Sequence, residues 1–400
     1  LGSWIESFVE QTAVLEAPYI FRKWAAISVI AAAVEQKVYV VSGSEKLHPN
    51  VYCFLVAHPG VGKTRSIRAA KKYYLETPEP HAAPTSMSAS SMIDALTKAK
   101  RKIVINDRGE MDTLEYNSLY ITGDELSAFM KAYDEEAIGT MSAFYDTTPY
   151  GQTRRGNDLN IKIPLPQLNL ICGATPSTLL KYLPESAWEQ GFCSRTIMIF
   201  SDERTIGDDF AEVDASLNPD LVHDLNSISG LVGRFEVTEE YRNAVNGWRA
   251  LGEEPVPTHP KLIHYATRRR VHLYKLSMVS AIDRSDTLLL TRDDFNRAMG
   301  WLLEAEETMP DIFKAGAGNA DARAMDEIYH FVLTSGVRGP VPERKIIAFA
   351  KERIPLHSIE RVIKVMESAE MIKPVAIDKR TGLKCYKAQV PDIDVDGNLV

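Results

Sequence analysis

The chain has 400 residues, room for two to three domains and an ample core. Its 45% apolar and 25% charged residues are ordinary for a globular protein, and a formal charge of −8 excludes a surface coated in basic residues while leaving room for a local patch that meets nucleic-acid phosphates. Four scattered cysteines, Cys53, Cys172, Cys193 and Cys385, have neither C-x-x-C nor Cys/His spacing, which argues against a disulfide framework or a zinc site and for buried, reduced thiols in the cytoplasm.

Residues 3 to 35 carry helical periodicity, with Trp4, Ile5, Phe8 and Val9 on one face and a second run from Tyr19 to Val34 after Pro18. A helical collar or lid over residues 1–36 is expected. Within it, Trp24 to Val34 is the longest apolar stretch, too short to span a bilayer and preceded by no signal-peptide pattern, so no membrane partner is expected. The chain begins at Leu1 rather than methionine, which leaves a preceding domain open. Val38 to Val41 then reads as a strand.

Val51 to Val56 is a short apolar run rich in β-branched and aromatic residues, and Pro59, Gly60 and Gly62, in a loop shared with His58 and Val61, break it before a helical pattern from Thr64 to Leu75. The order is strand, loop, helix. Such a loop turns successive backbone N–H groups inward at the positive end of a helix, a fit for phosphate oxygens. Lys63 would reach the β- and γ-phosphates of ATP, the Thr64 hydroxyl would ligate Mg²⁺, and Arg65 closes the nucleotide-binding stretch. The match to G-x-x-x-x-G-K-[ST] departs at its first position, which is Ala57. Arg65, Arg68, Lys71 and Lys72 on the following helix read as a solvated face or as contacts to an anionic partner.

Ser88 to Lys98 reads as a helix capped by Ser90 or Ser91. Leu119 to Gly123 is an apolar strand ending in Asp124 and Glu125, the acidic partner that a phosphate-binding loop requires. Asp124 would hold the Mg²⁺ and Glu125 would orient or deprotonate the attacking water. A helix is expected over Leu126 to Tyr133. Residues 146 to 166 suggest a hairpin with Arg154 and Arg155 near its tip, placed either to grip DNA phosphates or simply in solvent. Leu168 to Ala174 is another buried strand, and Asn169 or Thr175 could sense the γ-phosphate. Thr175 is preferred because ligands bind at strand carboxyl ends, although it also suits an N-cap of a helix over Ser177 to Leu183. Arg195, immediately before the buried strand that ends at Phe200, is a candidate arginine finger acting on a neighbouring subunit, with a structural salt bridge as the plainer role.

An acidic, loop-rich segment from Ser201 to Pro260, broken by a helix over Glu239 to Leu251, ends the core, so the ATPase domain is placed at 37–205 and a helical lid at 206–314. In the lid, His264 to Ile282 carries Arg268, Arg269 and Arg270, of which at most one or two face the nucleotide; Arg269 is a candidate contact, and the choice between it and Arg270 stays open. Arg292 to Met309 completes the lid. Ala315 to Asn319 reads as a flexible linker. Three helical patterns, over Ala322 to Thr334, Glu343 to Glu352 and Ser358 to Glu370, and a hairpin through Lys387 then suggest a winged helix over 319–388. Its helix residues Arg361 and Lys364, with Lys379, Arg380 and Lys384 on the wing, would supply charge for DNA, although such modules also bind proteins. An acidic tail occupies 389–400.

With Lys63, Asp124, Thr175 and Arg195 in this order, the chain resembles the P-loop ATPases of bacteriophages and mobile elements, grouped under a domain of unknown function or as DNA helicases and primase-associated ATPases. The resemblance rests on Pro49 to Tyr52 entering the His58 to Thr64 loop, Gly123-Asp124-Glu125, Gly173 to Pro176, Gly191 to Arg195 and His272 to Leu276, and it covers about residues 10 to 310. It implies an α/β fold with an AAA+-like or RecA-like core, ATP and Mg²⁺ as cofactors, and a homo-oligomer, expected as a hexameric ring, acting on single-stranded or forked DNA beside a primase or polymerase. The location is then the cytoplasm of a bacterial host. The expected function is a replicative DNA helicase. The alternative is an initiator, loader or protein remodeller that hydrolyses ATP without unwinding, and a small-molecule kinase ranks below both.

Overall fold

The computed structural model describes residues 2–107, 110–154, 159–189, 191–205, 216–285, 287–316, 320–336, 339–351, 354–377 and 382–389. They form two compact units, residues 1–313 and 314–400. The expected collar, core and lid therefore share one unit, and the division falls near the end of the helix Arg292–Gly316.

The first unit is mixed α/β around a five-stranded sheet: β1 (Tyr52–Val56), β2 (Lys100–Asp107), β3 (Glu110–Gly123), β4 (Pro166–Ala174) and β5 (Thr196–Phe200), in the order β2-β3-β4-β1-β5. Strands β3, β4, β1 and β5 run parallel, and β2 is an antiparallel edge. Every residue of β1, β4 and β5 is buried, as expected of parallel strands covered on both faces. Tyr52 is level with Leu170 while Tyr120 is level with Asn169, so the two tyrosines project from opposite faces. On one face Tyr52 meets Tyr145 edge-on with ring centres 5.0 Å apart. On the other, Tyr120 packs on Tyr74 at 4.8 Å and shares a hydrogen bond with the Ser28 hydroxyl.

Ser28 lies on the second of the helices α1 (Trp4–Gln11), α2 (Tyr19–Val34) and α3 (Lys63–Tyr74). From Ala25 to Val34 every residue of α2 is buried, because the helix is wedged among α1, α3, β4 and the helices Pro219–Ser229 and Arg269–Arg284. The segment expected as a collar is thus a core element. Other boundaries differ as well. Ser88, not Ser90 or Ser91, caps the helix Ala89–Lys98, and Ser91 returns the bond from its third position. The expected helix over 126–133 is a single 3-10 turn, Leu126–Ala128, and the longer helix Glu135–Tyr145 follows, capped by Asp134. The hairpin Tyr150–Arg154 with Leu159–Ile163 is antiparallel as expected; Arg155 lies outside the described residues.

The second unit holds the helices Ala320–Ser335, Glu343–Ala350 and Leu356–Ser368, and a three-stranded antiparallel sheet with Lys384–Ala388 between Val341–Pro342 and Ile372–Ile377. Ile328, Val332, Ile346, Val362, Met366 and Tyr386 form its core. Ala315 and Gly316 of the expected linker are helical, while 317–319, Lys379, Arg380 and the tail from 390 lie outside the described residues. Among the described residues no helix is long and apolar enough to cross a membrane, and all four cysteines are buried and unbridged.

Candidate functional site

Because β1, β3, β4 and β5 are parallel, their carboxyl ends open on one edge of the sheet. Val56 is level with both Ala174 and Phe200, and Gly123 with Cys172. Residues leaving these ends converge where open α/β sheets collect ligands. The loop from Ala57 leaves β1, Asp124 and Glu125 leave β3, Thr175 leaves β4, and Asp202 follows β5.

The loop depends on two glycines in the left-handed region, Gly60 at φ 86° and Gly62 at φ 91°. A Cβ at Gly62 would also lie 2.6 Å from the Glu16 carbonyl oxygen and 2.7 Å from the Ala17 Cβ, so the segment before α2 seals the loop from behind. No side chain caps the start of α3, which leaves its first-turn amides and the positive end of its dipole turned toward the loop. Lys63 is buried there, its Nζ donating to the carbonyls of Ala57 at 2.7 Å and His58 at 3.1 Å. Burial lowers its pKa, while Glu125 and Asp202 raise it. Half-buried Thr64 follows in the same turn. Arg65 turns away to pair with Glu16 and to donate to the Leu15 carbonyl, and His58 Nε2 lies 4.0 Å from Asp202 Oδ1.

Asp124 crosses directly over β4, where a Cβ on Gly173 would stand 2.4 Å from its carbonyl oxygen. Its carboxylate accepts from Arg68, with Nη2 at 2.6 Å and Nε at 3.0 Å. The Glu125 carboxyl has its pKa raised by burial first, with Lys63 opposing and Asp124 reinforcing. The lysine and the uncapped helix start can bind an anion, and the partly desolvated carboxylate beside them can accept a proton next to it. The hydroxyl and carboxylate oxygens of Thr64 and Asp124 suit a hard cation such as Mg²⁺. Among the described residues no group of three or more His, Cys, Asp or Glu could hold a metal alone, so an ion here would draw its remaining oxygens from water and a bound anion, as Mg²⁺ does.

Thr175 caps the helix Pro176–Tyr182, accepting from the Thr178 amide at 3.1 Å. Asn169 lies early in β4, away from this edge, and its Oδ1 accepts from the Val51 amide, which ties β4 to β1. Arg195 sits immediately before β5, at the opposite edge from Lys63. Its side chain is 12% exposed and pairs with Asp146, with Nη1 on the Gly191 carbonyl at 2.8 Å. Arg269, expected at the phosphates, is instead fully buried. Nε and Nη2 reach the two Glu306 carboxylate oxygens at 2.7 and 2.8 Å, because its place on the helix turns it into the packed interior. Arg268 is the member of the triplet that reaches the other way, to Asp146 at 3.1 Å.

Among the DNA-binding expectations, Arg154 ends a hairpin strand. Arg361 and Lys364 are exposed on the helix Leu356–Ser368, where Lys364 pairs with Glu360 at 2.8 Å, and Lys384 on the hairpin pairs with Glu367 at 3.0 Å. Two residues of the edge stand out only in the structure. Arg68 was legible as one of four bases on α3, but its aim at Asp124 was not; Asp202 carried the weak signal of an acid two residues beyond a buried strand. No known family model and no curated protein matches the chain.

Proposed function

We propose that the chain is a P-loop ATPase with an AAA+-like core and a C-terminal winged helix, and that it couples ATP hydrolysis to movement along DNA as a ring of identical subunits. The observation that carries the reading is the Lys63 ammonium at the uncapped start of α3, on the edge that also bears Glu125. The sheet order, with β1 between β4 and β5, agrees with it.

In this reading Lys63 leaves the Ala57 and His58 carbonyls for the β- and γ-phosphates, and the first-turn amides of α3 hold the remaining oxygens. Mg²⁺, held by Thr64 and Asp124, would neutralise charge on the phosphate oxygens. Glu125 accepts the proton of the attacking water, a task that its raised pKa favours. Thr175 keeps its capping bond, accepted through a lone pair, and turns its hydroxyl proton from Thr178 Oγ1 to the γ-phosphate. Arg195 is at the wrong edge for its own loop, so it would serve a neighbour's nucleotide, exchanging Asp146 for phosphate on assembly.

A second reading, a loader or remodeller that separates no strands, is favoured by the second unit. There Lys364 and Lys384 are occupied by glutamates, while Val375 and Ile377 are 47% and 69% exposed, as suits a protein partner such as a primase or polymerase. Displacement of one strand from a forked DNA duplex, with ATP and Mg²⁺, separates the two. Strand release supports the motor; ATP turnover without release supports the loader.

A further inference from the structure

At the edge of the sheet opposite Lys63, beside the residues that lead into β1 and β4, lies a cavity of about 670 Å³. That volume suits a small organic ligand. Its lining includes four cations, Lys37, Lys46, Arg268 and Lys275, against two carboxylates, Glu45 and Asp146. His48 adds no charge near neutrality, because burial pulls its pKa down to about 4.

The cations are unevenly compensated. Lys275 is 3% exposed and donates to the His48 carbonyl at 2.9 Å and to Asn50 Oδ1, and its ammonium rests 4.2 Å from the centre of the Tyr145 ring. Lys37 donates to the Ser229 carbonyl. Among the described residues neither has a carboxylate at ion-pair distance. Burial drags both pKa values down, that of Lys275 to about 7, so their charged forms lack solvation and an anion in the cavity would favour them. Asp146 is shared between Arg195 and Arg268, so its charge is divided. Such a lining gains by admitting negative charge.

The aromatic surfaces narrow the choice of ligand. Lys46 covers Tyr39 at 4.4 Å and Lys275 covers Tyr145, so the rings that would stack nucleobases are already occupied. A compact anion fits better than a single-stranded nucleic acid.

We propose that this cavity is a binding site for a compact multivalent anion, a phosphorylated or polycarboxylated small molecule met by Lys37, Lys46 and Arg268. It is separate from the Lys63 loop and does not depend on what that loop binds. A ligand there draws Arg268 from Asp146 and leaves that carboxylate wholly to Arg195.

The test uses the full chain carrying Lys63→Ala, so that the loop before α3 contributes no lysine, titrated calorimetrically at constant ionic strength with inorganic pyrophosphate and, separately, with citrate. At least one should bind saturably at one per chain, and Lys37→Gln and Arg268→Gln should each weaken it about tenfold. Pyrophosphate alone assigns a phosphorylated ligand, citrate alone a polycarboxylate, and both support the site. As a readout that needs no change in the cavity, the bound anion should slow chemical acetylation of Lys46. Absence of saturable binding by either anion, or binding that both folded variants leave unchanged and that does not protect Lys46, overturns the proposal.

Discussion

Arg68 closes on Asp124: both Nη2 and Nε of the guanidinium lie within 3.0 Å of one carboxylate oxygen, across the gap between α3 and the end of β3. If Asp124 holds Mg²⁺, the arginine competes with the metal for that oxygen. The pair is largely exposed, with side-chain accessibilities of 68% and 41%, so its strength is that of a surface ion pair. Arg68→Ala should therefore tighten Mg²⁺-dependent ATP binding by about two- to fivefold at low salt, with the difference fading as salt screens the pair. Calorimetric titration at two ionic strengths checks it, and unchanged or weaker binding in the variant would count against metal ligation by Asp124.

The Arg269–Glu306 pair makes the opposite prediction, of stability without function. Arg269 has no exposed surface, and Tyr265 adds a hydrogen bond to the same carboxylate at 3.1 Å. Arg269→Met leaves Glu306 buried without its cation, which costs about 3 kcal/mol. Thermal melting should show a clear loss, while ATP affinity measured well below the melting point should stay at the parental value. A large loss of affinity in a chain that melts normally would restore Arg269 to the phosphates.

The raised pKa of Glu125 gives a pH dependence with a definite sign. If Glu125 is the general base of the proposed hydrolysis it works deprotonated, so turnover should fall as pH drops through its folded-state pKa, and the acid limb should lie above the ordinary carboxylate range. The stability consequence follows from linkage. A carboxyl whose pKa is higher folded than unfolded is protonated preferentially in the folded chain, so stability declines as pH rises from the unfolded to the folded pKa. Glu125→Gln should accordingly melt higher than the parent at pH 8, and the gap should close at pH values below the ordinary carboxylate pKa. Equal melting temperatures at both ends of the range would remove the desolvated carboxylate from the account.

Much of the site's edge was legible because local sequence and strand order act together there. An apolar run, two glycines and a lysine specify a strand, a left-handed turn and a helix start, and Asp124 and Thr175 each end a buried strand. Strand direction then brings them to one edge. What could not be read depends on side-chain direction and on long-range packing. Arg269 and Arg268 are neighbours in sequence, yet one pairs in the core with Glu306 and the other reaches Asp146, a difference set by helix rotation. The burial of α2 on all sides takes α1, α3 and β4 together with two helices more than 180 residues away, and the antiparallel β2–β3 pair escaped notice because its facing segments are rich in charged residues and offer no long apolar run. The helix expected over 126–133 gives way to Glu135–Tyr145, whose start is fixed by the Asp134 side chain accepting from the Ala137 amide.

The central claim is that Lys63 and Glu125 form one hydrolytic site, and paired measurements of nucleotide binding and phosphate release on the parent chain, Lys63→Ala and Glu125→Gln test it most directly. The account predicts Mg²⁺-dependent phosphate release by the parent, loss of release and of tight binding in Lys63→Ala, and loss of release with binding retained in Glu125→Gln. Hydrolysis by Glu125→Gln at the parental rate, or a folded parent that neither binds nor cleaves ATP, would contradict it.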